Sequence, residues 1–157
     1  MGSEVSGVNP EPKLLHAAPR TIAGLSETYT MATRSEIPRL WDRLHDQAHD
    51  LVISRPSYGV SYRFDGQSFH YLCGLEKAHD LPEDWDTVVL LEGQYAVFTY
   101  NGPDAGIGEA IDTVWKQLVP GMQLKPDGRP SFEVYDGRYD PKTSSGVVEF
   151  WIPIVAA

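Results

Sequence analysis

The sequence predicts an α+β domain built from two tandem βαββ units related by a pseudo-twofold axis. The sheet is expected to be mainly antiparallel, with two main helices and a central groove between the copies. Three observations carry this reading. First, one offset of 74 residues (111 − 37, and again 129 − 55) takes Ile37, Leu40, Trp41 and Leu44 onto Ile111, Val114, Trp115 and Leu118. It also takes Arg55-Pro56-Ser57 onto Arg129-Pro130-Ser131, and Val60 onto Val134. Second, both helical segments carry an apolar stripe at helical spacing. Third, the segments after the two Arg-Pro-Ser triplets alternate apolar and small or polar residues, the period of a half-buried strand. An offset shared by a helix, a loop and a strand marks a duplication. One copy is too small to bury a core alone, so the copies should pack together.

The elements follow in order. Leu14 to about Thr30 reads as a first strand, broken near Pro19. Ser35 is placed to cap a helix whose first turn tolerates Pro38. The buried stripe of that helix is Ile37, Leu40, Trp41, Leu44, Ala48 and Leu51. Tyr58, Val60, Tyr62 and Phe64 then alternate with Gly59, Ser61 and Arg63, and Asp65-Gly66 signals a hairpin into the strand Phe69 to Leu75. The second copy opens with Val88 to Leu91, bends at Glu92-Gly93 and continues as Tyr95 to Tyr100. Gly102-Pro103-Asp104 begins its helix, with Ile107, Ile111, Val114, Trp115 and Leu118 inward, and Pro120-Gly121 ends it. The Phe132 strand turns at Asp136-Gly137, a hairpin tip spans Lys142 to Gly146, and Val148 to Ile154 is the last strand. Residues 1–11 read as a flexible lead-in and 12–157 as one domain, with repeats over about 12–80 and 86–155.

The totals narrow the function. A length of 157 residues suits one domain, and a formal net charge of −9 opposes direct contact with nucleic acid or an anionic membrane. It favours cationic small molecules, and leaves open a basic protein partner. The single cysteine, Cys73, forms no internal disulfide, and no secretion signal or apolar membrane span is visible, so a reduced cytoplasmic protein is expected. No cofactor or metal is expected. Gly106-Ile107-Gly108 lacks the remainder of a dinucleotide fingerprint, and neither a phosphate-binding loop nor a nucleophile elbow occurs. His45 and His49 lie four apart on a helix without a third ligand, which fits a solvated polar face.

The most suggestive segment is Arg129 to Tyr135. Phe132 and Val134 point one way; Ser131, Glu133 and Tyr135 point the other. The matching place to Glu133 in the first copy is Gly59, which makes any cleft between the copies lopsided.

The ordered set of motifs resembles a known family. It comprises the apolar-apolar-Trp helix, Tyr58-Gly59-Val60, Gly74-Leu75-Glu76, Gly93 to Phe98, Phe132 to Tyr135 and Trp151 to Ile154. Over about Pro12 to Ile154 the chain resembles the gyrase-inhibitor-like small-molecule-binding domain, also found as the effector-binding domain of multidrug-responsive transcription activators. That resemblance implies an aromatic pocket around a partly buried glutamate, which matches Glu133, and ligands that are hydrophobic and often cationic. With only Met1 to Glu11 upstream, a stand-alone member is expected. Some stand-alone members resemble hydrolases that open a strained cyclopropane ring, in which case Glu133 would handle water or a proton. Inhibition of a topoisomerase is a third reading.

The ligand-binding candidates are Glu133, Tyr135, Trp115, Trp151, Tyr71 and Gly59. A carboxylate in an apolar pocket seeks a counter-charge, and aromatic faces attract cations. Trp115 is preferred over Trp41 because it belongs to the half that holds Glu133. Phe150 and Ile152 look core-facing, which would put Trp151 on the side of Glu133. Each of these aromatics also fits a core position.

Overall fold

The computed structural model describes residues 4–155. Its frame is one eight-stranded, wholly antiparallel sheet in the order β1-β6-β8-β7-β3-β4-β2-β5. The strands are β1 (Lys13–Ala17), β2 (Arg20–Thr30), β3 (Ser57–Tyr62), β4 (Ser68–Glu76), β5 (Asp86–Leu90), β6 (Gly93–Pro103), β7 (Ser131–Asp140) and β8 (Ser145–Pro153). Helix α1 (Ile37–Ser54) lies on β2 and β4, and α2 (Ile107–Thr113) lies on β6. No helix of the described residues is long and apolar enough to cross a membrane.

The sheet order is itself symmetric. Strands β3 and β7 meet at the centre, flanked by β4 and β8, then β2 and β6, then β5 and β1. The central register runs from Ser57 opposite Tyr135 to Ser61 opposite Ser131. Only one of its pairs, Gly59 with Glu133, has members separated by the repeat offset of 74, so the pseudo-twofold axis passes through that pair.

The outermost strands exchange sides. β1 opens the first copy in sequence but pairs with β6 of the second, Leu15 opposite Tyr95. β5 pairs with β2 of the first copy, Val89 opposite Thr21, which is the same register moved by 74. Each half therefore covers the other's free edge, which removes unpaired backbone groups a separate half would expose.

Two apolar clusters lie beneath the helices. One holds Leu40, Leu44, Phe69, Tyr71, Cys73 and Leu75; the other holds Phe98, Tyr100, Ala110, Val114, Val148 and Phe150. On the opposite face Ile22, Tyr58, Val60, Leu72, Leu90, Tyr95 and Phe132 make a third, drawn from both ends of the sheet, so the sheet curls around it. The break near Pro19 falls between β1 and β2 as expected.

Several local expectations are corrected. Val8, placed by sequence in a flexible lead-in, is 0% exposed and pairs with Tyr100, while Asn9 N–H donates to the Thr99 carbonyl; Met1 to Ser3 lie outside the described residues. Ser35 does not cap α1: it sits in a 3₁₀ turn (Arg34–Glu36) that leads into the helix, and no side-chain cap bond forms. Asp136-Gly137 is a bulge inside β7 rather than a turn, and the hairpin closes instead between Asp140 and Ser145. The second helix ends at Pro120-Gly121 as expected, but it is not a regular α-helix throughout. It passes through a π-helical turn (Val114–Leu118) and a last turn (Val119–Gly121), an irregularity that accommodates a proline without a donor N–H.

Candidate functional site

Because α1 and α2 sit on the outer strands, the two central strands lie between them. The result is a cleft of about 1320 Å³ over the β3–β7 pair, walled by α1, by the start of α2 and by β7. A bidentate ion pair from Arg34 to Asp112, at 2.9 and 2.8 Å, ties the approach to α1 to the second helix.

Glu133 stands on the cleft floor and is only 9% exposed. Tyr71 and Tyr135 both donate their hydroxyls to the same carboxylate oxygen, Oε1, at 3.2 and 3.0 Å. Trp41 Nε1–H in turn donates to the Tyr71 hydroxyl at 3.0 Å. Among the described residues Oε2 receives no hydrogen bond, yet it is not sealed from solvent, so it faces the cleft. Burial raises the Glu133 pKa to about 7; the two phenol bonds act against that rise, and Asp104 adds slightly to it. Burial first, and the Glu133 charge second, push both tyrosines well above their ordinary value, so they remain donors.

Gly59 explains how this triad fits. It sits directly opposite Glu133, and a Cβ there would collide with the Tyr71 hydroxyl and come within 2.9 Å of Glu133 Oε1. Two side chains on the axis would compete for one space. Glycine in one copy leaves it to the carboxylate of the other.

The tryptophans fall otherwise than expected. Trp151 pairs across from Phe132 and packs with Tyr95 and Phe132 on the sheet face away from Glu133. In the antiparallel register Glu133 lies opposite Phe150, so Phe150 shares the glutamate's face and Trp151 takes the other. Trp115 packs onto the second half's core, within the π-helical turn, and is absent from the cleft wall. Trp41, passed over in the sequence, lines the cleft with its ring edge-on to Tyr135 at 5.1 Å between centroids. A glutamate on the axis belongs to neither half, so the tryptophan of either helix is a candidate for its wall. Tyr139 also lines the cleft, edge-on to Tyr135 at 5.2 Å.

His45 and His49 line the open cleft with their Nδ1 atoms 3.3 Å apart; His49 is exposed, as on a solvated polar face, and His45 is half-buried. Burial, and then His49, hold the His45 pKa below its ordinary value. Among the described residues no group of three or more His, Cys, Asp or Glu is arranged to hold a metal ion. Cys73 is buried, and burial pushes its thiol up to about 12, so it is not a nucleophile at neutral pH.

Residues 10–155 match the family described as GyrI-like small molecule binding domain. The chain belongs to that family. The solved structure of SAV2435 bound to tetraphenylphosphonium superposes on this GyrI-like domain with a TM-score of 0.76 at 18% identity, covering 93% of this chain and 94% of that one. The EcmrR C-terminal domain gives a TM-score of 0.57 at 9% identity, with 93% and 98% covered. A hydrolase from Listeria innocua gives 0.55 at 15% identity, with 93% and 92% covered. At these identities the likeness is one of fold. Comparison with curated proteins gives no significant match.

Proposed function

We propose that this GyrI-like domain captures hydrophobic, aromatic cations in the cleft, with Glu133 as counter-charge and Trp41, Tyr135 and Tyr139 as the aromatic wall. The observation that carries the reading is the one-sided pairing of Glu133. Both phenols and the Trp41 donor chain serve Oε1, which leaves Oε2 turned to the cleft. A delocalised cation needs such a charge without a directional donor, and each aromatic face adds roughly 0.5–2 kcal/mol of attraction. The cation bound by SAV2435, which shares the fold, is of that chemical type.

A second reading has one observation in its favour. A carboxyl with a pKa of about 7 is matched to proton transfer at neutral pH, as a hydrolase of electrophilic cyclopropanes would need. One pair of experiments separates the two. Tetraphenylphosphonium is titrated against native protein and Glu133→Gln at pH 8, read by calorimetry. The binding account expects at least a tenfold weaker dissociation constant in the variant, and equal constants would overturn it. Incubation with a cyclopropane-containing electrophile, followed by mass spectrometry, should return unchanged compound. A ring-opened, water-added product lost in Glu133→Gln would instead establish the hydrolase.

A further inference from the structure

The charges around the cleft do not balance, and the imbalance has a direction. Two arginines line it, but each is already paired with a carboxylate: Arg34 with Asp112, and Arg55 with Asp80 through two bonds at 3.2 and 2.7 Å. Asp112 and Asp80 are not part of the lining. Of the lining carboxylates, Asp136 is held by Arg138 at 2.9 Å. Glu133, Asp104 and Asp42 have no cationic partner among the described residues. The two histidines hydrogen-bond each other, and Asp42 acts on His45 to favour its charged form, without an ion pair between them.

Two of the three unpaired carboxylates are joined by an aromatic track. Glu133 Oε1 accepts from Tyr135, the Tyr135 ring meets the Tyr139 ring at 5.2 Å, and the Tyr139 hydroxyl donates to Asp104 Oδ1 at 2.8 Å. One end of the track is a carboxylate nine-tenths buried with an oxygen turned to the cleft; the other is an exposed carboxylate on the 3₁₀ turn (Asp104–Gly106) before α2. The volume, about 1320 Å³, exceeds the roughly 300–1,000 Å³ of ordinary ligand pockets, which leaves room for a molecule extending from one end to the other.

From this we infer that the cleft is a two-anchor site that prefers aromatic dications, one positive centre at Glu133 and the second at Asp104, with the aromatic body of the ligand against Tyr135 and Tyr139. The inference rests on the cation-capture reading and adds a ligand class and a second binding residue to it. Asp104 is near enough to Glu133 to oppose its ionisation, and a second positive charge between them relieves that repulsion.

Ethidium and propidium test it, because they share one phenanthridinium ring and propidium carries a second, quaternary ammonium on a short arm. Fluorescence titration at pH 8 is expected to show propidium binding at least tenfold more tightly than ethidium to native protein. Asp104→Asn, which keeps an acceptor for Tyr139, should cut that advantage below threefold while changing ethidium less than twofold. Glu133→Gln should weaken both dyes. Thermal melts of both variants confirm that they are folded. Equal affinity of the two dyes for native protein, or a propidium advantage untouched in Asp104→Asn, overturns the two-anchor site while leaving single-cation capture standing. Failure of both dyes to bind native protein overturns both.

Discussion

The defining residue is Glu133, whose environment sets two forces against each other. Burial disfavours the carboxylate; hydrogen bonds from Tyr71 and Tyr135 favour it, and burial wins, leaving a pKa of about 7 against an ordinary 4.5. The sign for stability follows. The folded state holds this proton more tightly than the unfolded chain, so the contribution is fully present below about pH 4.5 and is lost as pH rises to about 7. The difference amounts to about 3 kcal/mol. Glu133→Gln keeps the acceptor oxygen and has no proton to lose. Urea denaturation should therefore find the variant about 2–3 kcal/mol more stable than native protein at pH 8, and the gap should close near pH 4. A gap independent of pH would show that Glu133 is not the strained ionisable group. Little of this could be read in the sequence. The strand alternation puts Glu133 and Tyr135 on one face, as found, but the meeting of two phenols at one oxygen depends on β4, β3 and β7 lying side by side.

At the scale of elements, the duplication was legible because it rests on repeated residue types. Its asymmetries were not, because they arise from what each copy packs against. The Arg-Pro-Ser triplets show this. Arg129 caps three backbone carbonyls, of Glu92, Gln94 and Ile154, and pairs with Asp127 at 2.6 Å. It occupies the space that any side chain at Gly93 would take, and its guanidinium lies 4.9 Å from the Tyr95 ring centroid. Among the described residues its counterpart Arg55 makes only the exposed pair with Asp80. Truncating Arg129 to Ala leaves several carbonyls and a partner charge uncompensated and should destabilise by about 2–4 kcal/mol. Arg55→Ala should leave the stability close to native, because an exposed pair is screened by solvent. Comparable denaturant midpoints for the two variants would contradict the assignment. The misplaced tryptophans have similar causes. Trp115 occupies the repeat position of Trp41, but the π-helical turn alters the register of its helix. If Phe150 and Ile152 were the one core-facing side of β8, Trp151 would join Glu133, but a curled sheet has apolar cores on both faces.

The whole molecule turns on its pseudo-twofold axis. Exchange of β1 and β5 locks the halves together, and the central β3–β7 pair leaves a gap between the helices that no helix of the described residues covers. A true twofold would put two equal side chains on the axis; the chain places a glycine there and a glutamate, so a symmetric frame holds one charge. The sequence contained the offset that locates this pair, but the antiparallel register was needed to show that its members face each other. Charge on the axis, and not merely an apolar hollow, is the central claim. Its direct test is the dissociation constant of tetraphenylphosphonium, which has no titrating group, measured from pH 5 to pH 9. The account predicts affinity rising about tenfold per pH unit up to about 7 and level above it, with Glu133→Gln weak and flat throughout. Native affinity that does not change across this range would contradict it.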